Sequence, residues 1–97
     1  YWDGSVEFLE AINSLTSLNR KHRIKIEAPL IELSKKEIIQ WGHELDVDFG
    51  NTWTCYEGKD KACGECTACS SRLQGFIDAG VEDPVEYSRE IPWDTLV

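Results

Sequence analysis

Apolar residues with helical spacing form a stripe near the start of the chain, and Ser5 precedes this stripe in the position of an N-cap. A serine hydroxyl at that position accepts a hydrogen bond from the first helical turn, which favours helix initiation. Residues three or four positions apart lie on one face of an α-helix. The pattern therefore predicts a helix over residues 5–19, whose buried face consists of Phe8, Ala11, Ile12, Leu15 and Leu18.

A short alternation of apolar and charged residues follows this helix. Ile24 and Ile26 alternate with charged neighbours, and Pro29 ends the pattern because proline has no backbone N–H to donate. Alternation with a period of two is typical of a β-strand, so the sequence predicts a strand over residues 23–27. One strand cannot form a sheet, so this strand either joins the edge of a sheet in a missing portion of the protein or pairs weakly with nothing. We favour the first alternative.

A second helix is predicted over residues 35–45. Ser34 and Glu37 have the spacing of a capping box, in which each side chain accepts from the backbone N–H of the other residue. Gly42 should weaken this helix by about 1 kcal/mol relative to alanine, unless a neighbouring group has to approach it closely. Its buried side is predicted to contain Ile38, Ile39, Trp41 and Leu45.

A third helix is predicted over residues 69–79, where Leu73, Phe76 and Ile77 keep helical spacing. Gly80 stands where a helix commonly ends in a left-handed residue. Prolines mark residues 81–97 as an extended tail.

All four cysteines lie between residues 55 and 69, with the spacing C-x7-C-x2-C-x2-C. Such spacing can direct four thiolates to one Zn²⁺, and a closed shell of four sulfurs is typical of a structural zinc site. Two disulfides are the alternative, since short secreted chains also contain even numbers of cysteines. The overlapping C-x-x-C pairs argue against disulfides. We therefore predict a zinc knuckle over residues 55–69 with ligands Cys55, Cys63, Cys66 and Cys69, and a reducing, cytoplasmic location.

Composition excludes several classes of function. The formal charge is −8 at pH 7, which disfavours contact with the phosphate backbone of a nucleic acid. No apolar run is long enough to span a membrane, and the first residues do not resemble a signal peptide. We expect neither a nucleic acid nor a membrane as partner. The sequence contains no methionine, so we expect it to be a segment of a longer protein.

Short blocks of residues around the cysteines form a combination more specific than four cysteines alone. In this combination the chain resembles the 7-cyano-7-deazaguanine synthases, which make a nitrile precursor of the modified base queuosine. The resemblance covers most of residues 28–87. It rests on Ala28-Pro29-Leu30-Ile31, Lys36-Glu37-Ile38, Thr52-Trp53-Thr54-Cys55-Tyr56, Cys63-Gly64-x-Cys66-x-x-Cys69, Arg72, Phe76, Ala79-Gly80 and Asp83-Pro84-x-x-Tyr87.

The resemblance implies an α/β parent protein of the ATP pyrophosphatase type, with a Rossmann-like N-terminal domain that binds the nucleotide. The phosphate loop of that domain, Ser-Gly-Gly-x-Asp-Ser, does not occur in this sequence. Residues 1–97 thus look like the C-terminal zinc-binding portion, mostly α-helical with one short strand. The N-terminal ATP-binding domain would be its partner within the parent chain, and members of the family are expected to form homodimers.

The activity implied by the resemblance is an ATP-dependent ligation. The parent enzyme would convert 7-carboxy-7-deazaguanine and ammonia to 7-cyano-7-deazaguanine, with ATP as cosubstrate and a structural zinc. No nucleophile paired with a base is visible in this segment, so we expect it to be inactive alone. A free-standing zinc-knuckle module that recruits a protein is the alternative function. A sulfur-transfer enzyme for tRNA is a third reading, which the acidic charge disfavours.

A few residues outside the cysteines are candidates for a role. Arg72 could bind a substrate carboxylate or phosphate through its guanidinium, or it could support the thiolates. Lys59 and Lys61 are interpreted as residues whose positive charge balances the negative charge of the zinc–thiolate site. Trp41 and Trp53 are predicted to be core residues.

Overall fold

Four helices form along the chain: α1 at Val6–Thr16, α2 at Lys35–Glu44, α3 at Thr67–Ala79 and α4 at Trp93–Leu96. Short 3₁₀ turns precede α1 and follow α2. The computed structural model describes residues 1–97, and they divide into two units, Tyr1–Glu32 and Leu33–Val97. No helix is both long enough and apolar enough to cross a bilayer.

Helix α1 lies within the range predicted for it and begins at the predicted cap. The Ser5 hydroxyl accepts a hydrogen bond from the Phe8 N–H at 3.1 Å, and the Trp2 ring packs edge-on against the Phe8 ring with centroids 4.9 Å apart. Phe8, Leu9 and Ile12 line an apolar cleft of about 480 Å³ together with residues from 26 to 31. No residue of this first unit is buried.

The strand predicted over residues 23–27 does not form, and that prediction was wrong. The segment is exposed, and the Asn13 side chain of α1 occupies both backbone hydrogen-bonding groups of Ile26. The Asn13 side chain accepts from the Ile26 N–H at 2.8 Å and donates to the Ile26 carbonyl at 3.0 Å. A period-two pattern becomes a strand only when another strand supplies these bonds. Here a side-chain amide supplies them.

Helix α2 lies within the range 35–45 and has the predicted capping box, with Ser34 and Glu37 bonded in both directions. Asp46 follows its C-terminus with φ of 57°, and the Val47 N–H bonds to the Gly42 carbonyl at 2.9 Å. Trp41, predicted to be a core residue, is instead 45% exposed. Ile39 and Gly42 are the buried residues of this helix.

Glycines allow close packing around α2. A Cβ at Gly42 would lie 2.4 Å from the Phe49 ring, and one at Gly75 of α3 would lie 2.9 Å from Ile39 Cδ1. The Phe49 ring also packs edge-on against Phe76, with centroids 5.3 Å apart. The Phe49 ring therefore makes the close approach to Gly42 that would account for a glycine within this helix.

Helix α3 begins two residues earlier than predicted, at Thr67, with Cys66 as its N-cap. It ends as predicted at Gly80, which adopts the left-handed conformation with φ of 74°. Leu73 and Phe76 are buried on its inner side. The tail over residues 81–97 is irregular except for α4 and for one isolated parallel bridge between Ala62 and Tyr87.

Candidate metal centre

The four cysteine sulfurs converge on one point. All four Sγ atoms lie within 4.8 Å of one another, and the pairs Cys63–Cys69 and Cys55–Cys66 are each 4.0 Å apart. A tetrahedral zinc with Zn–S bonds of about 2.3 Å needs sulfurs about 3.8 Å apart. A disulfide needs about 2.05 Å, and none of the cysteines forms one. The cluster therefore fits a four-thiolate metal site.

Local structure delivers each sulfur to the cluster. Gly64, with φ of 73°, makes the tight turn between Cys63 and Cys66. Cys66 and Cys69 stand at the first turn of α3, because Cys66 caps the helix and accepts from the Cys69 N–H at 3.4 Å. The positive end of the helix dipole favours thiolates there. Cys55 arrives separately, from the extended segment after Phe49–Asn51.

Backbone N–H groups point at the sulfurs in a pattern typical of metal knuckles. Each such bond stabilises the thiolate form over the thiol, because the donor is aimed at the developing charge. The loop after Cys55 and the turn after Cys63 supply most of these donors. Glu57, Gly58 and Cys63 donate to Cys55 Sγ, and Glu65 and Cys66 donate to Cys63 Sγ, over 3.1–3.4 Å.

These donors and burial shift the thiol pKa values in opposite directions. The pKa of Cys55 falls to about 6, chiefly through the Cys63 N–H. The pKa of Cys66 is lowered by the N–H groups of Tyr56 and then Cys69. Burial raises the pKa of Cys69 to about 12. A divalent cation would stabilise the negative charge of the buried Cys69 thiolate. Metal binding would therefore be coupled to release of the thiol proton.

A buried arginine connects α3 to the segment that leads to Cys55. Arg72 is 7% exposed and forms a two-point ion pair with Asp83, at 2.6 and 2.9 Å. It also donates to the hydroxyls of Thr52 and Thr54 at 2.9 and 3.1 Å, and to the Phe49 carbonyl at 3.1 Å. Burial opposes its charge, but the hydrogen bonds and charge of Asp83 outweigh that effect and raise the pKa of Arg72.

Residues 83–89, here called the strap, run beside the cysteine cluster. The Ala62 N–H donates to the Glu86 carbonyl at 3.0 Å, and the Ser88 N–H donates to the Ala62 carbonyl at 2.8 Å. These two bonds form the parallel bridge between Ala62 and Tyr87. Tyr87 and Val85 pack against the small core made by Cys55, Ala62 and Cys69.

Two side chains of the strap add further contacts. Arg89 donates from Nε and Nη2 to the Gly64 carbonyl at 3.1 and 3.0 Å, and so holds the turn between the central cysteines. The Tyr87 hydroxyl donates to Asp83, the partner of Arg72. The strap therefore contacts both the cysteine cluster and the buried ion pair.

Comparison with known proteins identifies the family. A family model described as queuosine biosynthesis protein QueC matches residues 1–80. The chain belongs to the QueC family. The match includes all four cysteines and ends just after α3.

The individual relatives that match this QueC chain share the name 7-cyano-7-deazaguanine synthase. A 7-cyano-7-deazaguanine synthase of Caldicellulosiruptor saccharolyticus is 43% identical over 94 residues, which cover 97% of this chain and 42% of the relative. Synthases of Chloroherpeton thalassium and Thermoplasma volcanium are 44% and 42% identical over 90% and 92% of this chain, covering 39% of each relative. The chain thus spans about two fifths of the length of these relatives. No solved structure matches it.

The QueC chain places the other predicted residues away from the sulfurs or at the surface. Arg72, a candidate for substrate or thiolate contact, uses all five N–H groups of its guanidinium on other protein groups. Lys59 and Lys61 are exposed on the loop after Cys55. Trp53 is 48% exposed rather than in the core, although its indole N–H donates to the Cys55 carbonyl at 2.8 Å.

Sequence reasoning missed the roles of Asp83, Tyr87 and Arg89. Asp83 and Tyr87 belonged to a block that resembled the family, but no pattern in the chain assigned them a partner. The block itself could have indicated these contacts. Asp83 and Tyr87 lie four residues apart, just beyond the helix that contains Arg72, and a buried arginine requires an acidic partner.

Proposed function

We propose that this chain is the C-terminal, zinc-binding portion of a 7-cyano-7-deazaguanine synthase. The observation that supports the proposal is the convergence of four sulfurs, at zinc-compatible distances, inside a chain of the QueC family. The names of its relatives give the product, 7-cyano-7-deazaguanine. Because the knuckle is only one part of the family match, a free-standing interaction module is the weaker alternative.

Zinc would be held by Cys55, Cys63, Cys66 and Cys69, and it would stabilise the fold of the knuckle. Four thiolates fill a tetrahedral shell, so no position is left for substrate or water. The residues of this chain then hold the metal, while chemistry takes place elsewhere in the whole enzyme. Metal analysis of the protein purified without added zinc should find close to one zinc per chain. Two disulfides by mass spectrometry would contradict this assignment.

The proposed reaction consumes ATP because a carboxylate is a poor electrophile. Transfer of AMP from ATP to the carboxylate of 7-carboxy-7-deazaguanine releases pyrophosphate and makes the carbonyl carbon reactive. Ammonia then displaces AMP and forms the amide, and a second adenylation on the amide oxygen lets AMP leave as the nitrile forms. The ATP site is assigned to an N-terminal domain of the parent protein, since this chain contains no phosphate loop.

The first unit would contact that domain. Its residues are not buried, and Leu15, Leu18 and Ile24 are 68%, 75% and 56% exposed. Apolar faces of this kind are normally covered in a folded protein. The relatives indicate which partner would cover this face. More than half of each relative lies outside the matched region, and that part would contain the N-terminal domain. Homodimer formation and a cytoplasmic location also stay predictions.

The function can be tested with two proteins. Full-length synthase should convert 7-carboxy-7-deazaguanine to the nitrile only when both ATP and ammonia are present, as followed by mass spectrometry. The 97-residue chain alone should neither bind ATP in calorimetry nor form the nitrile. Turnover by the isolated chain would show that the active site lies within it, and no turnover by the full-length protein would exclude the synthase.

A further inference from the structure

The buried pair of Arg72 and Asp83 has no role in the chemistry proposed above, yet it contacts the segment leading to a metal ligand. We propose that Arg72, held by Asp83, is a positioning residue for the metal centre. It fixes Cys55 against the other three ligands before the metal arrives. This inference rests on the proposed zinc site.

Cys55 is the ligand that needs positioning. Cys63, Cys66 and Cys69 are ordered together by one turn and the start of α3, whereas a loop over residues 56–62 separates Cys55 from them. Bringing the end of a flexible loop to a site costs conformational entropy. If the protein has already ordered that end, the metal binds without that cost.

Arg72 reaches the required segment from the helix that carries the other ligands. Its Nη1 donates to Thr54, the residue immediately before Cys55, at 3.1 Å and to Thr52 at 2.9 Å. Both hydroxyls are on the extended segment, and Arg72 is one turn beyond Cys69 on α3. A single guanidinium therefore links the segment before Cys55 directly to the helix that bears Cys69.

The arginine itself is held in one position. Asp83 accepts from both Nε and Nη2, and the Tyr87 hydroxyl donates to the same carboxylate. Paired planar contacts of this type restrict orientation more than a single hydrogen bond does. The Asp83 side chain is fully buried beside it. Arg72 thus acts as a fixed point to which the Thr54 segment is attached.

Substitutions at Thr54 test the contact without leaving a buried charge unpaired. Thr54→Val keeps the shape of the side chain but removes the acceptor for Arg72, whereas Thr54→Ser keeps the hydroxyl. In the full-length, zinc-loaded protein, competition with a chromophoric chelator should show zinc affinity about 10-fold weaker for Thr54→Val, as for loss of supporting contacts around metal sites. Thr54→Ser and the exposed control Gln74→Ala should stay within about 2-fold of wild type.

A melting experiment separates positioning from a merely structural contact. If the contact positions Cys55, Thr54→Val lowers the melting temperature of the zinc-bound protein more than that of the zinc-free protein. Equal losses in both forms, or unchanged zinc affinity, would overturn the inference while leaving the zinc site in place. A wild-type protein that takes up no zinc would overturn both the zinc site and this inference.

Discussion

Asp83 balances the charge of Arg72 in an environment largely shielded from bulk water, since the two residues are 3% and 7% exposed. A buried ion pair adds little net stability compared with apolar residues of similar shape. Removing one partner is much more costly, because the remaining charge stays buried without compensation. The pair is therefore sensitive to substitution on either side.

Asp83→Asn should lower the free energy of unfolding by about 3–5 kcal/mol, because it leaves the Arg72 guanidinium buried opposite a neutral amide. Urea denaturation of the two proteins would measure the difference. Asp78→Asn, on the exposed side of α3, is the matched control, with an expected change within about 0.5 kcal/mol. Equal effects of the two substitutions would mean that the ion pair is not needed.

Tyr87 should make stability depend on pH in the alkaline range. Burial and then the neighbouring Asp83 carboxylate raise the pKa of Tyr87 above its usual value. Above about pH 10 the unfolded chain releases the phenolic proton while the folded chain retains it, so stability falls as pH rises. Denaturation at several alkaline pH values should show a steeper decline for wild type than for Tyr87→Phe. Parallel profiles would contradict the assignment.

At the scale of single residues, the sequence predicted the cysteine cluster but not the residues that support it. Four cysteines with short spacing specify a cluster almost independently of the rest of the fold. A lone arginine carries no such information, because its partner Asp83 lies beyond the end of α3 and is brought near only by tertiary folding. The burial predicted for Trp41 and Trp53 was wrong for a related reason. An aromatic residue in a helix or knuckle can face either the core or the solvent, and the local sequence does not decide which.

The helices illustrate how far local interactions determine an element. Ser5 and the pair Ser34 and Glu37 bond to residues three positions away, so the first and second helices could be predicted from nearby sequence alone. The strand over 23–27 could not be, because strands depend on partners distant in sequence. In this chain Asn13 of α1 occupies the bonds that a second strand would need.

Gly42→Ala should test the contact between α2 and the Phe49 ring. The new methyl group would lie 2.4 Å from that ring, and overpacking of this kind typically costs about 1–3 kcal/mol. Alanine recovers up to about 1 kcal/mol of helix propensity, so a net loss of about 1 kcal/mol is expected. Thermal unfolding would measure it. Gly4→Ala, which meets no neighbour within 4 Å, should be close to neutral, and a stabilised Gly42→Ala would contradict the packing described.

On the scale of the molecule, the two units differ in how they are stabilised. Leu33–Val97 has a buried core and the cysteine cluster, whereas Tyr1–Glu32 has no buried residue. A metal bound at the cysteine cluster, as proposed, would matter most in the second unit. Structural zinc contributes about 10–16 kcal/mol of apparent binding free energy in small peptides, compared with about 5–15 kcal/mol for the stability of a whole domain.

Cys66→Ser should reduce soluble yield and melting temperature in the full-length protein, while correctly folded molecules keep their rate. Serine is itself a good N-cap for α3, so this change removes a proposed metal ligand with little effect on helix initiation. Thermal unfolding and turnover per folded molecule are the measurements, with Ser71→Ala on the exposed face of α3 as control. A variant that keeps its melting temperature but loses the chemical step would make the metal catalytic.

The position of the strap after the cysteines has a consequence for biosynthesis. A ribosome adds about 5–20 residues per second, so about one to four seconds separate Cys69 from Arg89. During that interval the nascent chain has all four cysteines of the cluster, but it lacks both the partner of Arg72 and the Arg89 side chain that contacts the Gly64 carbonyl. The cysteine cluster would thus be most open to oxidation, or to binding a metal other than the proposed zinc, while the chain is being made. With zinc bound at the cluster as proposed, zinc supply at the moment of translation should therefore limit how much correctly folded protein is made.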